Sequence, residues 1–353
     1  MRRGMRCMLA AALVCALAYA AQTEDSAQQT GAQVVETAAA QGRMLIPGGL
    51  AVGVALKTKG VLVVAKTGGT STPLRPGDVI LSVGGEEIAS AKALARLVNA
   101  AGSDHVQLGV LRAGRELSVQ AAAEQDETDG RRRLGVWVRD STAGVGTLSY
   151  IDPVTQAYGA LGHAIVDADT GGLLDAKDGA IMNARVVGVT KGQSGRAGEL
   201  RGSFLKENEQ IGSLCLNSEY GIYGFMDERP QALLYPQGLP VAARDEVVPG
   251  PATIIATVDE HGPKEYAVEI TRCFDQSRPG QKGMILRVTD EQLIARTGGI
   301  VQGMSGSPII QNGKIVGAVT HVYLSDALSG YGMYIEWMLD HSDALEAKVD
   351  QAA

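Results

Sequence analysis

Aromatic side chains are scarce in this chain of 353 residues, which holds 3 Phe, 2 Trp and 10 Tyr. Any core must be built from aliphatic side chains. With 45% hydrophobic and 20% charged residues there are enough of them, which excludes wholesale disorder. No apolar run reaches the roughly 18–20 residues of a membrane span. An excess of basic residues is also missing: 32 Lys and Arg against 39 Asp and Glu leave a net charge of −7. Without a basic face to meet a phosphate backbone, non-specific nucleic-acid binding is excluded. The 4 cysteines form no C-x-x-C and no Cys/His cluster at zinc spacing, so no structural metal is expected. Gly144-Val145-Gly146 begins like a dinucleotide fingerprint, but no third glycine follows at the required place and no βαβ unit surrounds it. No cofactor is expected. Glycine is abundant, at 45 residues, and favours tight turns and β-rich packing. The length suits two domains.

Residues 1–20 read as a secretory signal. Arg2, Arg3 and Arg6 make a positive start, Cys7 to Leu17 an apolar stretch, and Ala18-Tyr19-Ala20 a small-x-small cleavage site. An uncleaved anchor is the alternative. With the three arginines gone, the charge of −7 becomes −10. Cys215 and Cys273 then remain, and outside the cytoplasm they either pair or stay as thiols. Residues 21–43 are polar and read as a flexible stalk.

A folded pattern starts near residue 44. Gly60 to Val64 reads as a strand and Leu74-Arg75-Pro76-Gly77-Asp78 as a turn. Val79 to Val83 follows as a strand and Gly84-Gly85 as a turn. Ala91, Leu94, Val98 and Ala101 recur at helical spacing. Val106–Val110 and Glu116–Val119 close the unit as strands. This order, with L-R-P-G-D-V-I-L-S-V-G-G-E-E-I at its centre, resembles a PDZ domain over residues 44–123. The resemblance implies a groove that takes up a peptide as an added strand, with Leu50, Ala51, Val52, Gly53 and Val54 as its carboxylate loop and edge strand. Residues 124–133 are charged and read as a linker. From residue 134 to 353, short β-branched strands separated by Gly and Pro predict an all-β barrel or sandwich, with one helix near Tyr334 to His341.

Gly303-Met304-Ser305-Gly306-Ser307-Pro308 places a serine among glycines that open backbone conformations closed to other residues. Backbone N–H groups of such a loop converge on one point, as an oxyanion hole requires, and those of Gly303 and Ser305 are the candidates. G-x-S-x-G fails at Ser307, so this is no nucleophile elbow. A serine needs a base. His163 sits among small residues in Gly159-Ala160-Leu161-Gly162-His163-Ala164, and His321, after the strand behind Ser305, is its rival. His163 with Asp167 and Asp169 lacks a third ligand for a metal.

Four stretches together are similar to one family: G-T-L-S-Y-I-D-P (146–153), A-L-G-H-A-I-x-D-x-D-T-G (160–171), T-G-G-I-V-Q-G-M-S-G-S-P-I-I-Q-N-G-K (297–314) and G-Y-G-M-Y-I-E-W-M-L (330–339). That family is the SpoIVB peptidases, sporulation serine proteases of endospore-forming bacteria. The resemblance implies a mainly β protein: a PDZ-like α+β domain followed by a chymotrypsin-like double β-barrel, with the site in the cleft between barrels. It implies Ser305 as nucleophile, His163 as general base and Asp290 as third triad member. Asp290 precedes the serine by only 15 residues, and it can equally shape the loop leading to Ser305; Asp167 and Asp169 stand as alternatives.

The same resemblance implies an exported endopeptidase of sporulation signalling. It would be secreted from the forespore into the space between forespore and mother-cell membranes. Its partners would be a membrane-associated regulator of an intramembrane protease, its own chain, and a peptide in the PDZ groove. Cleavage of the regulator would trigger maturation of a late sigma factor. The stalk and the 124–133 linker suit self-cleavage as exposed, unstructured segments. Two other readings stand beside it. One is a peptide-binding signalling module with a catalytically silent barrel. The other is a Ser/Lys protease with Lys314 as base.

Overall fold

Alternation dominates the strands that build the core. In Lys264–Cys273, Tyr266, Val268 and Ile270 point inward while Glu265, Ala267 and Glu269 face water, the period-two pattern of a half-buried strand. The computed structural model describes residues 42–67, 71–174, 176–204 and 210–352, so the signal at 1–20 and nearly all of the stalk at 21–43 lie outside the described residues.

Two antiparallel barrels result. The second closes in the order Gly250–Ala256, Lys264–Cys273, Met284–Val288, Ser329–Tyr334, Lys314–Val322, Pro308–Gln311. The first closes through Ala51–Lys66, Val136–Ile151, Ala157–Ala160, Gly221–Met226, Gln210–Ser218 and Ala176–Thr190, the last returning to Ala51–Lys66. Ile46, Val52, Val54, Leu148, Tyr158 and Ile181 fill the first barrel, and Ile254, Ile270, Leu286, Ile309 and Val319 the second. The helix Ile335–Ala352 buries Trp337, Met338 and Leu339 in the core of the second barrel, and Met338 accepts the Tyr150 hydroxyl of the first at 3.4 Å. It begins where expected and runs farther. A second helix, Glu291–Thr297, was not expected.

The PDZ-like unit is an insertion in the first barrel and not a domain ahead of it. The boundary at residue 44 is therefore corrected, because Met44–Pro47 and the first half of Ala51–Lys66 belong to barrel sheet. Strand Ala51–Lys66 pairs with Val136–Ile151 twice, Ala51–Lys57 inside the barrel and Leu62–Lys66 inside the insertion. Between the two registers Gly60 takes φ +78°, and a Cβ there would lie 2.4 Å from the Ile80 carbonyl oxygen. Only glycine allows that approach. Strands Val79–Val83, His105–Arg112 and Arg115–Ala122 complete the inserted sheet. Helix Ala91–Ala100 covers it with Leu94 and Val98, four residues apart on one face, and Ser90 Oγ caps it by accepting Ala93 N–H at 3.1 Å.

Residues 124–133 are not an unstructured linker. They form a hairpin, Glu124–Gln125 against Arg132–Arg133, with Arg133 paired to Asp126 and Asp129, and Arg132 to Asp104. Cys215 and Cys273 are free thiols on different barrels.

Candidate active site

A cleft of 790 Å³ opens between the barrels, walled by Val145, Leu161, His163, Leu200, Gly303 and Ser305 among others. His163 and Ser305, distant in sequence, meet there because one follows a first-barrel strand and the other precedes a second-barrel strand.

His163 follows Leu161 and Gly162, both at positive φ. Asn217, buried on a first-barrel strand, clamps the segment behind it. Its Oδ1 accepts Ile165 N–H at 2.9 Å, and its Nδ2 donates to the carbonyls of Ile165 at 2.8 Å and Leu174 at 2.9 Å. His163 Nδ1 lies 2.8 Å from the Ala164 carbonyl. A carbonyl only accepts, so the proton sits on Nδ1 and Nε2 presents its lone pair, the tautomer a general base needs. Burial lowers the His163 pKa from 6.5, partly offset by that bond.

Ser305 Oγ donates to the Thr320 carbonyl at 2.8 Å, and none of the hydrogen bonds among the described residues joins it to His163. Serine–base contacts are often loose without substrate. The N–H groups of Gly303 and Ser305 find no acceptor among the described residues, although the neighbouring loop amides do: Met304 donates to Val301, Gly306 to Val319 and Ser307 to Met304. Two unused donors beside a serine are what an oxyanion requires.

Asp290 is corrected. Its carboxylate accepts Leu293 N–H at 2.9 Å and caps helix Glu291–Thr297, while His163 Nδ1, the atom a third triad member would engage, belongs to Ala164. Asparagine caps about as well as aspartate, whereas alanine costs about 1 kcal/mol. Asp290→Asn is therefore expected to keep both melting temperature and activity, and Asp290→Ala to lose stability first. A folded Asp290→Asn chain without activity would show that the carboxylate reaches the histidine during turnover.

Asp167 and Asp169 do not join the histidine either. Arg139 pairs with Asp167 at 2.5 Å and with Asp169 at 2.8 Å, tying the strand shared with the insertion to the His163 loop. Burial alone would raise the Asp167 pKa, but Thr170, the Asp169 amide and Arg139 hold it below the usual range. Lys314 pairs with Glu246, away from the cleft.

His321 lies beside His163, ring centroids 5.6 Å apart and tilted by 47°. Its Nδ1 is buried with no hydrogen-bond partner among the described residues. Burial, then the proximity of His163 and Lys282, brings its pKa down to about 4. Both rings are thus neutral near pH 7. The acid limb of activity is expected below pH 6.5, followed by serine labelling between pH 4 and 8; a midpoint above 6.5 would contradict a buried base. Both folded pKa values are depressed, so the stability these histidines contribute is complete above about pH 6.5 and is lost as pH falls through them, which for His321 is at about 4.

The expected PDZ groove is also corrected. Leu50 accepts Leu148 N–H, and Ala51, Val52, Gly53 and Val54 pair with Thr147–Gly144 on one side. Val52–Val54 pair with Asn183–Ile181 on the other, so no edge is left for an added strand. The edge left open on the side of helix Ala91–Ala100 is Val136–Arg139, which pairs only with Leu62–Lys66 among the described strands. Helix Ala91–Ala100 runs beside it, held by Ala91 N–H to Asp140 at 2.7 Å and Arg132 N–H to Asn99 at 2.9 Å. Leu134-Gly135-Val136, followed by alternating Trp137 and Val138, was the sequence signal for it.

The sequence model of the SpoIVB peptidase S55 family matches residues 130–339. The chain is a SpoIVB peptidase. As such it is a serine peptidase, built from two β-barrels with an α+β unit inserted in the first. Among curated proteins none matches it. Among solved structures, the active form of the Rv3671c protease from M. tuberculosis is 14% identical, with 57% of this chain and 74% of that one covered at a TM-score of 0.35. The inactive form of the same protease is 13% identical, covering 56% and 81%, at a TM-score of 0.32. The PDZ domain of the SdrC-like protein from Listeria monocytogenes is 16% identical, covering 23% and 87%, at a TM-score of 0.20.

Proposed function

We propose that this SpoIVB peptidase is an endopeptidase in which Ser305 is the nucleophile and His163 its base. His163 Nε2 takes the Ser305 proton as Oγ bonds to the peptide carbonyl carbon. The carbonyl oxygen becomes an oxyanion held by the Gly303 and Ser305 amides. The C–N bond then breaks as His163 returns the proton to the leaving amine, and water, deprotonated by His163, releases the acyl group. The observation that carries this reading is one cleft with an Nε2 lone pair, a serine and two unused amides.

Its finer assignment follows the family. The enzyme is exported into the space between forespore and mother-cell membranes. It acts in sporulation signalling by cleaving a membrane-associated regulator of an intramembrane protease, and so triggers maturation of a late sigma factor. It also cleaves itself. Because the 124–133 segment is a fastened hairpin, self-cleavage falls in the polar segment 21–43. The open edge Val136–Arg139 takes a peptide ligand by strand addition. Fluorophosphonate treatment of the full chain, with the modified peptide identified by mass spectrometry, tests the site: the label belongs on Ser305. A folded chain that takes no label would support the peptide-binding module with a silent barrel.

A further inference from the structure

Thr147 lies on strand Val136–Ile151 at 1% exposure, across the barrel interface from the serine loop. All three of its polar groups are used there. The hydroxyl donates to the Gly303 carbonyl at 2.8 Å. The amide donates to the Ser305 carbonyl at 3.1 Å, and the carbonyl accepts Leu161 N–H, two residues before His163, at 3.1 Å. Gly306 packs against the same carbonyl, where a Cβ would lie 2.1 Å from its oxygen.

We infer that Thr147 is a positioning residue of this peptidase, its hydroxyl holding the Gly303 peptide so that the oxyanion amides face the cleft. The need for an outside hold is physical. Gly303 has φ +93°, in a region where glycine moves freely, and its own loop holds the Gly303–Met304 peptide only at the N–H end, by Met304 to Val301 at 3.2 Å, leaving the carbonyl end to an outside donor. Neighbouring peptides are pinned at their oxygens: Gln302 accepts Leu200 N–H at 2.8 Å and Met304 accepts Ser307 N–H at 3.0 Å. In a trans peptide the N–H points opposite the C=O, so these bonds aim the Gly303 and Ser305 amides the other way. The Gly303 carbonyl lies between those two planes, and Thr147 alone holds it among the described residues. Through its backbone the same residue registers this loop against the His163 segment.

The inference rests on Ser305 as the nucleophile, and the test separates the two. Full chains carrying Thr147→Val, which keeps the shape and removes the hydroxyl, and Thr147→Ser, which keeps the hydroxyl, are reacted with a fluorophosphonate at several concentrations. For Thr147→Val the maximal labelling rate is expected to fall about 10- to 100-fold with little change in half-saturation, and Thr147→Ser to stay within about 3-fold of the parent. Equal loss in both would show that the fit of the whole side chain and not its hydroxyl matters and overturn the inference, as would an unaffected Thr147→Val. If Thr147→Val does not fold, Thr147→Ala takes its place; failure of both to fold would reduce the hydroxyl to a stabilising role and overturn the inference as well. A parent chain unlabelled at Ser305 brings down the site assignment and this inference together, whereas a labelled parent with an indifferent Thr147→Val brings down the inference alone.

Discussion

Ser305→Ala is expected to abolish fluorophosphonate labelling, and His163→Ala to slow labelling of Ser305 by about 10⁴- to 10⁶-fold, the range seen when a serine protease loses its base. The drop is large because a hydroxyl is almost wholly protonated at neutral pH, and only an acceptor at the right place removes its proton as the bond to carbon forms. His163 is held for that task by Asn217 behind its loop and by the Ala164 carbonyl, which sets the tautomer. His163→Ala gives up the bond to Ala164 and Ser305→Ala the one to Thr320, but both leave the Asn217 clamp and the barrel cores in place, so the melting temperature is expected to move little. His321→Ala gives the control. It carries the other ring of the pair. A loss as deep as that of His163→Ala would make His321 the base and reverse the assignment.

Gly306→Ala has the largest effect expected on stability. Gly306 has φ +98°, and the added methyl carbon would meet Thr147 O at 2.1 Å and Leu161 N at 2.6 Å. These are backbone atoms of the opposite barrel, so relief requires the interface itself to open at the cleft. A loss of about 3–5 kcal/mol is expected, which for a protein of this size lowers the melting temperature by on the order of 10 °C. Gly171→Ala is the comparison, because its φ is +70° with nothing within 4 Å of the added carbon. It bears the conformational strain without the clash and is expected to cost about 1 kcal/mol. Calorimetry on the two full chains tests this, and equal losses would show that the barrels yield easily at this point.

Features coded by neighbouring residues were legible before the fold. Leu94 and Val98 four apart marked the inserted helix, and L-R-P-G-D before V-I-L-S-V marked a turn and strand that appear where expected. Ser305 among its glycines and His163 among small residues stood out for the same reason. Asp290 shows how a local signal misleads when a resemblance supplies its role. Aspartate before E-Q-L-I-A-R-T is an N-cap followed by a helix, and the structure uses it that way. Thr147 and Asn217 carried no comparable mark. What sets them apart is which distant atoms they meet, Gly303 in one case and Leu174 in the other.

From its sequence alone this chain determines a β-rich protein with a PDZ-like unit, a serine loop able to converge its amides, and a small-residue setting for one histidine. Those properties follow from backbone preference and periodicity over a few residues. Tertiary structure alone decided that Ala51–Val54 are barrel wall and not groove, that the unit is an insertion, and that the edge left open beside its helix is Val136–Arg139. It also decided which groups accompany the serine and the histidine in the cleft. The physical reason is that strand pairing and barrel closure join residues about a hundred positions apart through main-chain hydrogen bonds, which every residue but proline offers alike.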